Sequence, residues 1–122
     1  MAMVRTFRDL IAWQKGMELA RIVYTATKRM PESERFGLTN QIRRAVVSIP
    51  SNIAEGHARQ SRADYLKFLR VARGSLAELM TQIELAATLQ MIPLDATLQA
   101  LLEEEDRILQ GLIRSLEKKQ TA

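Results

Sequence analysis

The sequence contains few side chains that could perform catalysis. It has one histidine, His57, and no cysteine. The motifs H-E-x-x-H, G-x-G-x-x-G and G-x-x-x-x-G-K-[ST] are absent, and so is the Glu-x-x-His pair that supplies ligands in di-iron helical bundles. We interpret His57 as a surface group in a short connector. The sequence therefore predicts a protein that is not an enzyme, with no catalytic residue, no metal site and no cofactor.

A run of four acidic residues, 103–106, interrupts the apolar stripe of the last predicted helix. Consecutive residues point to every side of a helix, so these carboxylates cannot converge on a metal ion. We expect a solvated face here. The alternative is an anionic patch that meets basic residues of a neighbouring subunit.

The basic residues in and just before the third predicted helix are arranged more regularly than this acidic run. At about 100° per residue they share an arc of roughly 140° that faces away from the helix's apolar stripe. This basic arc consists of Arg59, Arg62, Lys67, Arg70 and Arg73. A row of cations without an acid is typical of a surface that contacts phosphates, so these are the predicted nucleic-acid-binding residues. The alternative is an ordinary solvated face, and the arc contains no aromatic residue on which bases could stack.

One side of the second predicted helix is small and polar. Exposed helix faces usually carry Lys and Glu, whereas Ser and Asn lower helix propensity. We call this side the assembly face and predict that it is an oligomer interface. It consists of Gln41, Arg44, Val47, Ser48, Ser51, Asn52 and Glu55. The alternative is that its serines and Asn52 satisfy backbone groups around Pro50.

Apolar residues that recur at spacings of three and four predict four helices, roughly at 8–29, 35–56, 62–90 and 94–118. The chain has 122 residues, of which 47% are hydrophobic and only 5% aromatic, and this composition favours helices over strands. The first helix is apolar over most of its circumference, as in a helix that is central or covered by a second chain. We predict one all-α domain, residues 1–122, folded as an up-down-up-down four-helix bundle.

Local signals refine the helix ends. The apolar residues keep one face on both sides of Pro50, which predicts a kinked but continuous second helix. Gly56 is expected to end that helix in the left-handed conformation. Ser61 and Asp64 match a capping box, and Gly74 is expected to let another helix approach closely.

The net charge of +4 is distributed unevenly along the chain. Residues 1–73 carry a net charge of +8, and residues 74–122 carry −4. This asymmetry fits a polyanionic partner, complementary subunits or two ordinary solvated faces. The sequence lacks a signal peptide and a membrane-spanning stretch, so we expect a cytoplasmic protein without a membrane partner.

Four segments resemble the four-helix bundle proteins encoded in intervening sequences of bacterial large-subunit ribosomal RNA genes, the 23S rRNA intervening sequence proteins. They are LIAWQKGM at 10–17, FGLTNQIRR at 36–44, VSIPSNIAEG at 47–56 and GSLAEL at 74–79. The resemblance covers nearly the whole chain. More distantly, the chain is similar to the accessory bundle proteins of diversity-generating retroelements, which bind a reverse transcriptase.

The resemblance implies a ring-like homopentamer and a nucleic-acid-binding role. We therefore expect a non-enzymatic oligomeric bundle whose partner is structured RNA or DNA. The alternative is a scaffold for a partner protein such as a reverse transcriptase.

Overall fold

The computed structural model describes residues 3–121, with side chains up to residue 118, and this part contains four α-helices and no β-strand. The helices are α1 (Ile11–Thr27), α2 (Leu38–Ala58), α3 (Arg62–Thr88) and α4 (Ala96–Thr121). Helix α2 packs against α1 and α3, and α4 packs against the same two helices. The all-α prediction is confirmed.

Helix α1 begins later than predicted because its expected first turn has a different geometry. Residues 7–9 form a short 3-10 turn in which the Thr6 hydroxyl accepts from the Arg8 amide at 3.1 Å. The Asp9 carboxylate accepts in return from the amide of Thr6 at 3.1 Å. These bonds cap the short turn, and the α-helix starts at Ile11.

The later helices have side-chain caps. At α3, the Ser61 hydroxyl accepts from the Asp64 amide at 3.0 Å, which is one half of the predicted capping box. At α4, the Asp95 carboxylate accepts from the amides of Thr97 at 2.8 Å and Leu98 at 3.2 Å. Each cap supplies an acceptor for amides that have no partner within their own helix.

Helix α2 continues through Pro50 and ends at Ala58, beyond the predicted end. The expectation that Gly56 closes this helix in the left-handed conformation is wrong, because no described glycine has a positive φ. A Cβ atom on Gly56 would lie 2.7 Å from the Cβ of Phe68 in α3. Gly56 therefore lets α3 approach α2. The close contact expected at Gly74 is not made within the described chain, where no atom of another helix lies within 4 Å of a Cβ built there.

The helices share one apolar core. Its largest fully buried apolar side chains are Leu19, Val23, Ile42, Val46, Ile49, Ile53, Leu66, Leu69, Leu76, Leu79 and Leu109. The side chain of Glu105, on α4, also lies in this core, with 0% of its surface exposed.

Candidate functional site

The basic arc is exposed to solvent, but acids from other helices neutralise much of its charge. Arg70 pairs with Glu117 at 2.6 Å and Arg73 pairs with Asp106 at 2.9 Å, both across the contact between α3 and α4. Arg59 pairs with Glu55 of α2 at 3.1 Å. A phosphate would have to compete with these carboxylates for three of the five predicted cations.

The remaining cations of the arc, Arg62 and Lys67, have no ion-pair partner in the described part of the chain. An aromatic ring also lies beside the arc, contrary to the sequence-based expectation. The Arg59 guanidinium is 5.1 Å and the Lys67 ammonium 5.9 Å from the centre of the Phe68 ring. Phe68 is only half-buried, so part of its side chain reaches the surface.

Helix α2 uses part of the assembly face for contacts inside the molecule. The Ser48 hydroxyl hydrogen-bonds the Ser75 hydroxyl of α3 at 2.8 Å. The Asn52 amide donates to the Ser48 carbonyl at 2.7 Å and to the Ser48 hydroxyl at 2.8 Å. Only the bond from Asn52 to the Ser48 carbonyl satisfies a backbone group, as the alternative expects, whereas the Ser48 hydroxyl bonds other side chains. Val47 stays 43% exposed.

A groove next to this face has an apolar lining. It lies between α1 and α2, has a volume of about 390 Å³, and is called the apolar groove below. Its lining residues are Trp13, Met17, Ala20, Val47, Pro50, Ser51 and Ala54. Met17 is 47% exposed, which is a high fraction for a large apolar side chain. Met17 and Val47 thus place exposed apolar surface from α1 and α2 side by side. The unusually wide apolar stripe of α1 was the sequence signal for this groove.

Glu105 contradicts the expectation that the acidic run forms a solvated face. Neither of its carboxylate oxygens has a hydrogen-bond partner in the described part of the molecule. A Cβ atom on Gly16 would lie 3.2 Å from its Oε2 and 3.3 Å from Pro50, which places the carboxyl group among α1, α2 and α4. Burial, and then the nearby charge of Glu104, raise the pKa of Glu105 to about 8, although Lys15 acts in the opposite direction. The group is therefore mainly protonated at neutral pH.

The rest of the acidic run lies nearer to solvent. Glu104 pairs with Lys15 of α1 at 3.0 Å, and Glu103 is exposed. The sequence did contain a signal for the burial of Glu105, since this residue follows Leu102 by three positions and precedes Leu109 by four. It therefore occupies an apolar position of the helical stripe.

His57 belongs to the last turn of α2 and not to a connector. It is half-buried, and its ring centre lies 5.7 Å from the centre of the Tyr65 ring in an edge-to-face arrangement. Among the described residues, no group of three or more histidines and acids is arranged to hold a metal ion. Nor does any helix in that part combine the length and the apolar character needed to cross a bilayer.

Comparisons with known proteins extend these observations. The model of the 23S rRNA-intervening sequence protein family matches residues 8–114. No curated protein matches the chain. The chain is similar to a crystal structure from Bacteroides thetaiotaomicron, described as a protein of unknown function from the S23 ribosomal protein family. The two are 25% identical with a TM-score of 0.63, and the alignment covers 87% of this chain and 94% of that one.

Proposed function

The chain belongs to the 23S rRNA-intervening sequence protein family, and from this premise we propose that it is a non-enzymatic, homo-oligomeric four-helix bundle that binds RNA or DNA. The net charge of +8 on residues 1–73 carries this proposal. A surface with such an excess of arginine and lysine attracts polyanions and increases their rate of association.

The proposal includes assembly through the apolar groove, to which the assembly face contributes Val47 and Ser51. A closed ring, pentameric as the resemblance implies, would repeat each basic surface once per subunit. Weak phosphate contacts would then add through avidity. We also propose that the helices alternate in direction. The order of two ion pairs between α3 and α4 supports this antiparallel arrangement. Arg70 precedes Arg73 in α3, whereas their partners Glu117 and Asp106 occur in the reverse order in α4.

A titration with structured RNA at increasing salt tests the binding function. We expect binding that weakens steeply with salt, because each neutralised phosphate releases counterions. Reversing the two unpaired cations of the arc, in Arg62→Glu with Lys67→Glu, should weaken binding if the arc contributes to it. The matched control is Glu103→Gln, which changes an exposed charge on α4. Absence of RNA and DNA binding at about 50 mM salt would refute the function.

The second candidate function is a scaffold for a partner protein such as a reverse transcriptase. The apolar groove favours it, since this surface suits an apolar helix of another protein as well as a second copy of the chain. This function predicts a partner that co-purifies and stays bound at high salt, because apolar contacts are not screened by ions. Release of the partner by salt would contradict it.

A further inference from the structure

A second groove between α1 and α2 has the chemistry of a nucleic-acid site. Its volume is about 530 Å³, and we call it the Tyr24 groove. Its lining residues are Tyr24, Asn40, Arg43, Arg44, Val47 and Ser48. The lining contains an aromatic ring, an amide and two guanidinium groups but no acid. It shares Val47 with the apolar groove and so lies at the edge of the surface proposed for assembly.

Arg43 is held in place within this groove. Its Nε donates to the Thr27 hydroxyl at 2.9 Å, and its guanidinium carbon lies 4.7 Å from the centre of the Tyr24 ring. Tyr24 itself remains 41% exposed. The guanidinium thus lies over one face of the Tyr24 ring, and guanidinium planes and aromatic rings are the groups on which nucleobases stack.

Two further cations lie near Tyr24 without lining the groove. Arg21 precedes Tyr24 by three residues on α1, and Lys28 follows it by four, just beyond the end of that helix. Within the described chain, no acidic side chain pairs with Arg21, Lys28, Arg43 or Arg44. The basic arc differs in this respect, because three of its five cations already have carboxylate partners. Unpaired cations bind phosphate without first losing an internal ion pair.

We propose that the Tyr24 groove binds single-stranded nucleic acid. Bases stack on Tyr24 and Arg43, the Asn40 amide hydrogen-bonds a base edge, and Arg44 contacts the phosphate backbone together with Arg21 and Lys28. This inference rests on the proposed function, for which it names the site and the class of ligand. It also moves the main phosphate contacts from α3 to the surface between α1 and α2.

The test measures the fluorescence anisotropy of labelled ten-nucleotide oligoadenylate, as RNA and as DNA, over a series of salt concentrations. Arg44→Ala should lower the slope of log affinity against log salt by about 0.7, the effect of one lost contact to a single-strand phosphate. Tyr24→Leu should weaken binding roughly tenfold, and Tyr24→Phe should bind like the natural chain, because stacking needs the ring and not the hydroxyl. A labelled duplex of the same length should bind more weakly than either single strand.

The matched control is Arg107→Ala, which removes an exposed arginine of α4 that has no ion-pair partner in the described part of the chain, and it should leave both the slope and the affinity unchanged. Equal losses for Arg44→Ala and Arg107→Ala, an unaffected Tyr24→Leu variant, or duplex binding as tight as that of single strands would overturn the site. A lower molar mass of Arg44→Ala in light scattering would also overturn the site, since the groove would then be an interface.

If the natural chain binds no oligonucleotide and no structured RNA, the proposed function itself fails. If it binds but only variants of the arc weaken it, the function stands and this site does not.

Discussion

Glu105 places a carboxyl group inside the core, where a leucine would fit the apolar stripe of α4. An ionised carboxylate without a hydrogen-bond partner is costly to bury, so the group keeps its proton at neutral pH. The close packing of Gly16 and Pro50 around the carboxyl group leaves little room for a larger neighbour on α1. This one residue therefore makes the stability of the bundle dependent on pH.

We predict that stability falls as the pH rises from about 5 to 8. Burial raises the pKa of folded Glu105 to about 8 from its ordinary 4.5, so within this range the folded state binds a proton that the unfolded state has released. The free energy of unfolding should then decrease by up to about 1.4 kcal/mol per pH unit and level off above the folded pKa. Urea unfolding of the natural chain and of Glu105→Gln, at several pH values, measures the effect.

Glu105→Gln keeps the shape of the side chain but cannot titrate, so it should lack this part of the pH dependence. Glu103→Gln is the control, because it removes an exposed carboxylate of the same helix and should retain the slope of the natural chain. Parallel curves for the natural chain and Glu105→Gln would show that the carboxyl group does not titrate inside the core.

At the scale of the helices, glycines set the distance between neighbouring elements. We predict that Gly56→Ala lowers the free energy of unfolding by about 1–3 kcal/mol, as overpacking does, because the new methyl would lie 2.7 Å from the Cβ of Phe68. The matched substitution is Gly111→Ala in α4, where no described atom of another helix lies within 4 Å of the added atom. That variant should gain up to about 1 kcal/mol from the better helix propensity of alanine. Urea midpoints that move in the same direction for both variants would contradict this account.

The periodicity of the sequence predicted the helices but not how their faces meet. The spacing of Ile42, Ile49 and Ile53 depends on α2 alone. The apolar face of α2, and the continuity of that helix through Pro50, could therefore be identified without the structure. The partners of Arg70 and Arg73 are 47 and 33 residues away, and only the packing of α4 on α3 brings them together.

The same limit explains why the candidate surfaces could be predicted only in part. The assembly face was defined on α2 alone. Its hydrogen bond from Ser48 to Ser75 depends on where α3 lies, and the Tyr24 groove needs residues of both α1 and α2.

At the scale of the whole molecule, charge and apolar surface occur together between α1 and α2. The apolar groove carries the surface proposed for assembly, and the Tyr24 groove beside it carries unpaired cations. A ring assembled through the apolar groove would place one copy of the Tyr24 groove at each subunit boundary. Assembly and nucleic-acid binding would then reinforce each other, because every added subunit raises the number of phosphate contacts available to one strand.

We predict that Val47→Glu dissociates the oligomer. The substitution places a charge in the apolar groove, and burying that charge against another subunit costs far more than the valine contributes. Light scattering at micromolar concentration should show the mass of one chain, 13.9 kDa, with helical circular dichroism unchanged. Val71→Glu is the matched control, since Val71 on α3 is exposed to a similar extent, 45% against 43%, but lies outside the groove. That variant should keep the mass of the natural assembly. A natural chain that is already monomeric, or a loss of mass only in Val71→Glu, would refute assembly through the apolar groove and favour the α3 surface as the place where any partner binds.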